Sequence, residues 1–250
     1  EARVGDAKGG ARGGRSADGA GQPARTGAPG SEAEVGRDRW RVEQESERLM
    51  RFPLTMVDVE TTGFDAPAPI EIAALHVSPA WTVTRAFYRR WLPAKDVEPK
   101  AAEKNGYTPE AWALCEPVTA DDLRAFGEFV AGRQWAGSFP DFDFRALEPN
   151  RIGARLPSWD VATHRKIDVG SLGAPLCAVT DNSGGMEGIC LALAALGLPV
   201  PPLPEWLAEM AGGRTGPHTA MGDAWATVWA LRCTWQPVEE YWRGAMARRT

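Results

Sequence analysis

The fold and the chemistry of this chain both depend on residues 54–63, which read LTMVDVETTG. The β-branched and apolar residues that begin this stretch predict a short β-strand, and Gly63 ends it. Side chains two residues apart on a strand point to the same face, so Asp58 and Glu60 lie about 7 Å apart on one side. Two carboxylates on a buried face repel each other and lose solvation, which a divalent cation compensates. Alternatively, one of the two acids lies at the strand end and is simply solvated.

The composition is that of an ordinary globular protein with a core of its own. The chain has 250 residues, of which 44% are hydrophobic and 24% are charged. A net charge of −5 argues against binding of nucleic acid by bulk electrostatics. It does not argue against an enzyme that holds phosphates through bound metal ions.

Cysteine usage and hydropathy predict a cytoplasmic protein. The four cysteines have neither CxxC nor zinc-finger spacing, which favours reduced thiols over a disulfide framework. No run approaches the roughly 18 consecutive apolar residues of a membrane span, and the polar, glycine-rich start does not resemble a signal peptide. We therefore expect no membrane contact.

Three regions follow from the distribution of residue types. Residues 1–50 begin as a Gly-, Ala- and Arg-rich tail that cannot bury enough apolar surface to order itself, and continue as a charged linker with helical potential. Residues 51–235 carry the apolar periodicity of a folded domain. Residues 236–250 form a C-terminal extension.

Within the folded domain the pattern of elements predicts an α/β fold. Three strands joined by short connections come first and form an antiparallel meander. Helices and strands then alternate, which predicts one mixed sheet with added parallel strands and helices on both faces. After the strand at residue 54, the predicted elements are strands at 69–78 and 81–92, helices starting at 108 and 119, a strand at 134–139, a helix through 144–152, a strand within 164–172, and helices at 186–198, 204–211 and 218–233.

Two downstream segments supply further acids. Residues 135–147 read WAGSFPDFDFRAL and place Asp141 and Asp143 at a strand-to-helix junction. Residues 218–229 read HTAMGDAWATVW, with His218 five residues before Asp223 at a helix start. Five residues is not a neighbour spacing on a helix, so we expect His218 to lie on the preceding loop and lean over Asp223. Carboxylates without a thiolate are a ligand set suited to Mg²⁺.

These motifs, in this order, resemble the DEDDh 3′–5′ exonucleases, which include polymerase proofreading subunits, ribonuclease T and oligoribonuclease. The matching patterns are Asp-x-Glu-Thr-Thr-Gly, Phe-Asp-x-x-x-Leu and His-x-x-x-x-Asp, and the likeness covers residues 53–231. The resemblance implies a ribonuclease H-like fold, two divalent metal ions (Mg or Mn), and release of nucleoside monophosphates from a 3′ end.

The resemblance also assigns roles to residues that match the motifs. His218 matches the general base, and Thr61 and Thr62 match positions beside the terminal nucleotide. Asp141 is an alternative to Asp143, but the Phe before Asp143 and the Leu four residues after it fit the motif better. The metal-binding carboxylates implied by the resemblance are Asp58, Glu60, Asp143 and Asp223.

The sequence therefore predicts a metal-dependent 3′–5′ exonuclease acting on single-stranded ends. DNA trimming or proofreading during DNA repair is favoured, because the long loop expected at residues 159–188 resembles no oligoribonuclease form. The expected partners are a single-stranded 3′ end and a polymerase. One alternative is an RNA-trimming exoribonuclease of the ribonuclease T or oligoribonuclease type. Another is a non-catalytic, proofreading-like module that binds a polymerase or a nucleic-acid end.

Overall fold

The structure is a computed structural model that describes residues 53–161, 166–180 and 185–247. The tail and linker predicted at residues 1–50 lie outside these ranges. The elements in chain order are β1 (Leu54–Thr61), β2 (Pro69–Val77), β3 (Val83–Arg90), α1 (Pro99–Asn105), α2 (Pro109–Trp112), α3 (Ala120–Val130), β4 (Gln134–Gly137), α4 (Pro140–Gly153), β5 (Ile167–Asp168), α5 (Val169–Thr180), α6 (Met186–Ala195), α7 (Glu205–Met210) and α8 (Ala220–Ala247).

The described strands form one five-stranded mixed sheet in the order β3-β2-β1-β4-β5. The β1–β2 and β2–β3 pairs are antiparallel, whereas the β1–β4 and β4–β5 pairs are parallel. The predicted meander with added parallel strands is therefore confirmed. The strand that carries the Asp-x-Glu pair lies at the centre of the sheet, where both of its edges are hydrogen-bonded.

Helices cover both faces of this sheet, as predicted. On one face Met56 of β1 packs into a core with residues of α5 to α8, among them Met221. On the other face Val57 of β1 packs into a core with residues of α3 and α4, among them Phe126. Alternate residues of β1 thus enter two different cores, and Asp58 and Glu60 share the face of Met56 because they are two and four residues from it.

Two helix starts that the sequence predicts are confirmed by their caps. Thr108 precedes α2, and its Oγ1 accepts a hydrogen bond from the backbone N–H of Ala111. Thr119 precedes α3 and forms a capping box with Asp122, in which each side chain accepts from the other residue's backbone N–H. Such caps satisfy backbone donors that the first helical turn leaves without partners.

Other segments differ from the sequence-based expectation. The long loop expected at 159–188 contains the helix α5, so that expectation was wrong over Val169–Thr180. The signal for this helix is Asp168, whose Oδ1 accepts from the backbone N–H of Ser171 at 3.0 Å, as a capping residue does. The helix α1 was also missed, although Pro99 occupies its first turn.

The last helix is longer than the apolar pattern indicated. A helix at residues 218–233 was predicted, whereas α8 runs over Ala220–Ala247 and includes Pro237. The boundary predicted after residue 235 therefore falls inside α8. Within the described ranges, no helix combines the length and the apolar composition that crossing a membrane requires.

Candidate functional site

The central strand and the last helix bring three acids together. Asp58 and Glu60 come from β1, and Asp223 comes from the first turn of α8. One carboxylate oxygen from each of the three residues lies within 4.8 Å of the others. We call these three carboxylates the acid cluster. The packing of α8 against β1 through Met56 and Met221 places the helix start over the two strand acids.

The electrostatics of the acid cluster are unfavourable without a cation. Burial, followed by the charges of Asp223 and Asp143, raises the pKa of Asp58 well above its ordinary value. Burial, followed by Asp223, raises the pKa of Glu60 from 4.5 to about 8. Burial also raises the pKa of Asp223, against the opposing effect of a hydrogen bond from the backbone of His218. The charge of Asp223 thus penalises ionisation of both strand acids.

Asp143 lies in the same cleft but outside the acid cluster. It is 5% exposed, and its Oδ2 is buried without a hydrogen-bond partner. Burial, followed by the charge of Glu60, raises its pKa well above the ordinary value. A Cβ at position 137 would lie 3.1 Å from this Oδ2, so Gly137 leaves the carboxylate its space. A buried carboxylate oxygen without a donor is an unusual and costly feature.

The alternative acid, Asp141, lies elsewhere. Its side chain is 86% exposed and accepts a hydrogen bond from Lys166 Nζ at 2.8 Å. The two aspartates are two residues apart on α4, a separation that turns their side chains to different sides of a helix. The structure therefore places Asp143, and not Asp141, in the cleft with the acid cluster.

The residues present fit a divalent cation. The ligand atoms available from Asp58, Glu60, Asp143 and Asp223 are all carboxylate oxygens, which Mg²⁺ and Mn²⁺ prefer. A cation would offset the mutual repulsion in the acid cluster and satisfy the Oδ2 of Asp143.

The predicted general base, His218, lies at the rim of the acid cluster. It adopts a positive φ of 59°, which is uncommon for a residue other than glycine. Its backbone N–H donates to Asp223 Oδ1 at 3.1 Å, and its Nδ1 lies 3.9 Å from Asp223 Oδ2. The loop before α8 is closed by Thr219, whose Oγ1 donates to the carbonyl of Gly216 at 2.7 Å. His218 therefore leans over Asp223, as the spacing predicts.

The two threonines after the acid pair have their hydroxyls engaged locally. Thr61 Oγ1 donates to the carbonyl of Gly63 at 3.0 Å, and Thr62 Oγ1 accepts from the backbone N–H of Ala68 at 3.1 Å. Both side chains are buried and stabilise the bend after β1. Contact of either threonine with a nucleotide stays a prediction.

An open cleft of about 690 Å³ adjoins the acids and His218. Its walls include Phe64, which is 80% exposed, and Phe139, which is 57% exposed. Lys104, from α1, also lines the cleft. Sequence reasoning missed these three residues, because nothing in the local pattern separates an exposed aromatic or lysine at a site from one elsewhere on the surface.

No protein-family model and no curated protein sequence matches this chain. Solved structures do match it in fold. Exonuclease I matches with a TM-score of 0.56 and 19% identity over 76% of this chain and 43% of that one. Exonuclease X, in complex with 5′ overhanging duplex DNA, matches with a TM-score of 0.52 and 17% identity, over 74% of this chain and 92% of that one.

A further match is the zinc-bound complex of Escherichia coli exonuclease I with single-stranded DNA, with a TM-score of 0.52 and 20% identity, over 76% of this chain and 42% of that one. The chain thus spans less than half the length of exonuclease I. At these identities the likeness shows the fold, and it confirms the predicted ribonuclease H-like mixed sheet with helices on both faces.

Proposed function

We propose that this protein is a metal-dependent 3′–5′ exonuclease that releases nucleoside monophosphates from single-stranded 3′ ends, with DNA as the favoured substrate. The observation that carries the proposal is the convergence of the acid cluster, with His218 beside it and the unpaired Oδ2 of Asp143 in the same cleft. A module that only binds nucleic-acid ends has no use for four carboxylates in one cleft, since they repel phosphate.

Two divalent ions, Mg²⁺ or Mn²⁺, are the proposed cofactors, held by Asp58, Glu60, Asp143 and Asp223. When bound, such ions neutralise charge on the scissile phosphate and its leaving oxygen and make the attacking water more acidic. The chain contributes a pair of ligands on a rigid central strand and a third on a helix start packed against it. This preorganisation keeps the ligands in place during the reaction.

His218 is proposed to take the proton of the attacking water at Nε2. Its Nδ1 faces Asp223 Oδ2 at 3.9 Å, so the carboxylate stabilises the imidazolium that forms when Nε2 is protonated. Imidazole changes its charge near neutral pH, which suits a general base. The hydrogen bond from His218 N–H to Asp223 keeps the ring at the rim of the cluster.

The cleft supplies groups for a single-stranded end. Phe64 and Phe139 present exposed rings next to the acids, and every base can stack on an aromatic ring regardless of its identity. Lys104 lines the same cleft, and its ammonium group can hold a backbone phosphate that the carboxylates would repel. Lys104 also lowers the pKa of Glu60, so the positive charge of the lysine acts on the acid cluster.

DNA is favoured because two of the structures named above hold DNA, exonuclease X an overhanging duplex and the zinc-bound exonuclease I a single strand. The four cysteines are free thiols, which supports the proposed cytoplasmic location. DNA repair, proofreading and a polymerase partner stay predictions from the sequence resemblance.

A single assay tests the proposal. The purified full chain is incubated with 5′-labelled single-stranded DNA, single-stranded RNA or mismatched duplex DNA, with Mn²⁺ or with EDTA. We expect a ladder of products shortened from the 3′ end, formed with Mn²⁺ and absent with EDTA, and faster with DNA than with RNA. Faster shortening of RNA would identify an exoribonuclease. A 3′ end that is bound but never shortened would contradict an enzymatic role.

A further inference from the structure

We propose that Arg214 is a positioning residue that clamps the loop carrying His218 to the central sheet through Glu71. The loop, residues 212–219, is called the His218 loop below. The inference rests on the proposed function and extends it, because it assigns a part in the reaction to an ion pair outside the acid cluster.

The contacts of Arg214 are those of a built site. Its Nη2 and Nε both donate to Glu71 Oε2, at 3.0 and 3.3 Å, and its Nη2 also donates to the carbonyl of Asn105 at 2.7 Å. Glu71 is 0% exposed, and its other oxygen accepts from Tyr88 Oη at 2.8 Å. Every oxygen of this buried carboxylate therefore has a partner, and the ion pair joins the His218 loop to β2.

The guanidinium group of Arg214 is also held by an aromatic ring. Its Cζ lies 4.6 Å from the ring centroid of Trp112, and Arg90 Cζ lies 3.9 Å from the same centroid. Stacking on a ring keeps the planar group in one orientation. Arg90 donates to the carbonyl of Ala111 instead of Glu71, so it provides a matched arginine on the same tryptophan.

The clamp reaches both strands that carry acids. Glu71 is the direct partner of Glu60 in the register of β1 with β2. Asn105, whose carbonyl accepts from Arg214, donates its Nδ2 to the carbonyl of Thr61 at 3.1 Å. Arg214 therefore fixes a point four residues before His218 relative to the ends of both β1 and β2.

The other end of the His218 loop is held separately by α8. The backbone N–H of His218 donates to Asp223, and the N–H of Gly222 donates to Thr219 Oγ1 at 3.2 Å. With Arg214 released, the loop keeps its attachment to α8 and loses its attachment to the sheet. The ligands of the acid cluster belong to β1 and α8, and Arg214→Lys keeps the positive charge that acts on Glu60. Loss of the clamp in that variant therefore affects the orientation of the imidazole.

The test compares Arg214→Lys with Arg90→Lys in the full chain. Lysine keeps a positive charge beside Glu71 but loses the planar fork that reaches Glu71 and Asn105 together. We expect Arg214→Lys to lower kcat about 10- to 100-fold, the scale of a misplaced reacting group, with KM and the Kd for Mn²⁺ each changed less than about twofold. Arg90→Lys should leave all three values close to those of the parent protein.

A second readout does not depend on activity or on metal. The chain has three histidines, and comparison with His218→Asn identifies the imidazole Cε1–H resonance of His218 in an NMR spectrum recorded in EDTA. Arg214→Lys should shift or broaden this resonance, and Arg90→Lys should leave it unchanged. If Arg214→Lys does not fold, as judged by circular dichroism, Glu71→Gln removes the partner charge and is expected to move the same resonance.

The outcomes separate the clamp from the proposed function. An unmoved His218 resonance in Arg214→Lys, or an equal change in Arg90→Lys, would overturn the clamp. A Kd for Mn²⁺ that weakens in step with kcat would also overturn it, because Arg214 would then act on the metal ligands. A parent protein that shortens no 3′ end defeats the proposed function, whereas the NMR comparison still decides whether Arg214 positions His218.

Discussion

The two faces of β1 differ in kind although their residues alternate along one strand. On one face Val57 and Val59 pack into a core rich in aromatic rings, where Phe126 and Trp135 meet edge to face at 5.6 Å. On the other face Asp58 and Glu60 lie close to other carboxylates, and desolvation raises the pKa of both side chains. The first face stabilises the fold through apolar burial, and the second lowers stability in a way that a bound cation reverses.

Asp58→Asn is expected to have the largest effect, because it removes a ligand from the acidic face. We expect kcat/KM to fall by more than about 1000-fold, the scale on which a group that stabilises developing charge matters. The melting temperature measured in EDTA should rise or stay level, because repulsion in the acid cluster is relieved. Asp141→Asn on the exposed side of α4 is the control and should retain activity. Parent-like activity of Asp58→Asn would refute the site.

His218→Asn, beside the acid cluster, should have the next largest effect on activity. Loss of a general base costs about 100- to 10,000-fold in kcat. Affinity for Mn²⁺, measured by calorimetry, should stay close to that of the parent, because the ligands remain. A large loss of metal affinity with this variant would assign His218 to the metal site instead.

Phe126→Ala removes a buried ring from the core that packs on the opposite, apolar face of β1. Phe126 is fully buried and contacts the rings of Phe87, Trp135 and Trp159. We expect the free energy of unfolding in urea to fall by about 3–5 kcal/mol, the usual cost of removing a buried phenyl ring. Activity per folded molecule should persist at low temperature. Loss of activity without loss of stability would mean that the two faces are not separable.

A pH series sharpens the comparison without any substitution, because the acidic face alone makes the melting temperature depend on pH. Because the pKa of Glu60 is raised from 4.5 to about 8, the folded state binds more protons than the unfolded state between these values. Stability in EDTA should therefore fall as pH rises through that window. Mg²⁺ should flatten the dependence, since ions compete with protons for the carboxylates. A melting temperature in EDTA that rises from pH 5 to pH 8 would contradict the raised pKa values of these acids.

The sequence was informative wherever a local rule applies. The period of two along β1 places Asp58 and Glu60 on one face, and the caps at Thr108 and Thr119 start α2 and α3 where predicted. The helix α5 was missed because its apolar, glycine-containing residues have no clear period, and only the capping residue Asp168 marks its start.

The candidate site was predictable only in part. The order of motifs pointed to Asp58, Glu60, Asp143, His218 and Asp223. The difference between Asp143 and Asp141 depends on which side of α4 meets the sheet, and a single sequence does not show this. Glu71 reads as an ordinary strand acid until Arg214, far along the chain, is seen to pair with it.

By itself the sequence determined the properties that depend on neighbouring residues. These include the same-face acid pair, the helix caps, the mixed α/β pattern and an all-oxygen ligand set. Only the tertiary structure decided how the start of α8 meets β1, which aromatic rings stay exposed in the cleft, and which arginine holds Glu71. The physical reason is that strand and helix periods repeat over a few residues, whereas these contacts join residues far apart through packing of the whole core.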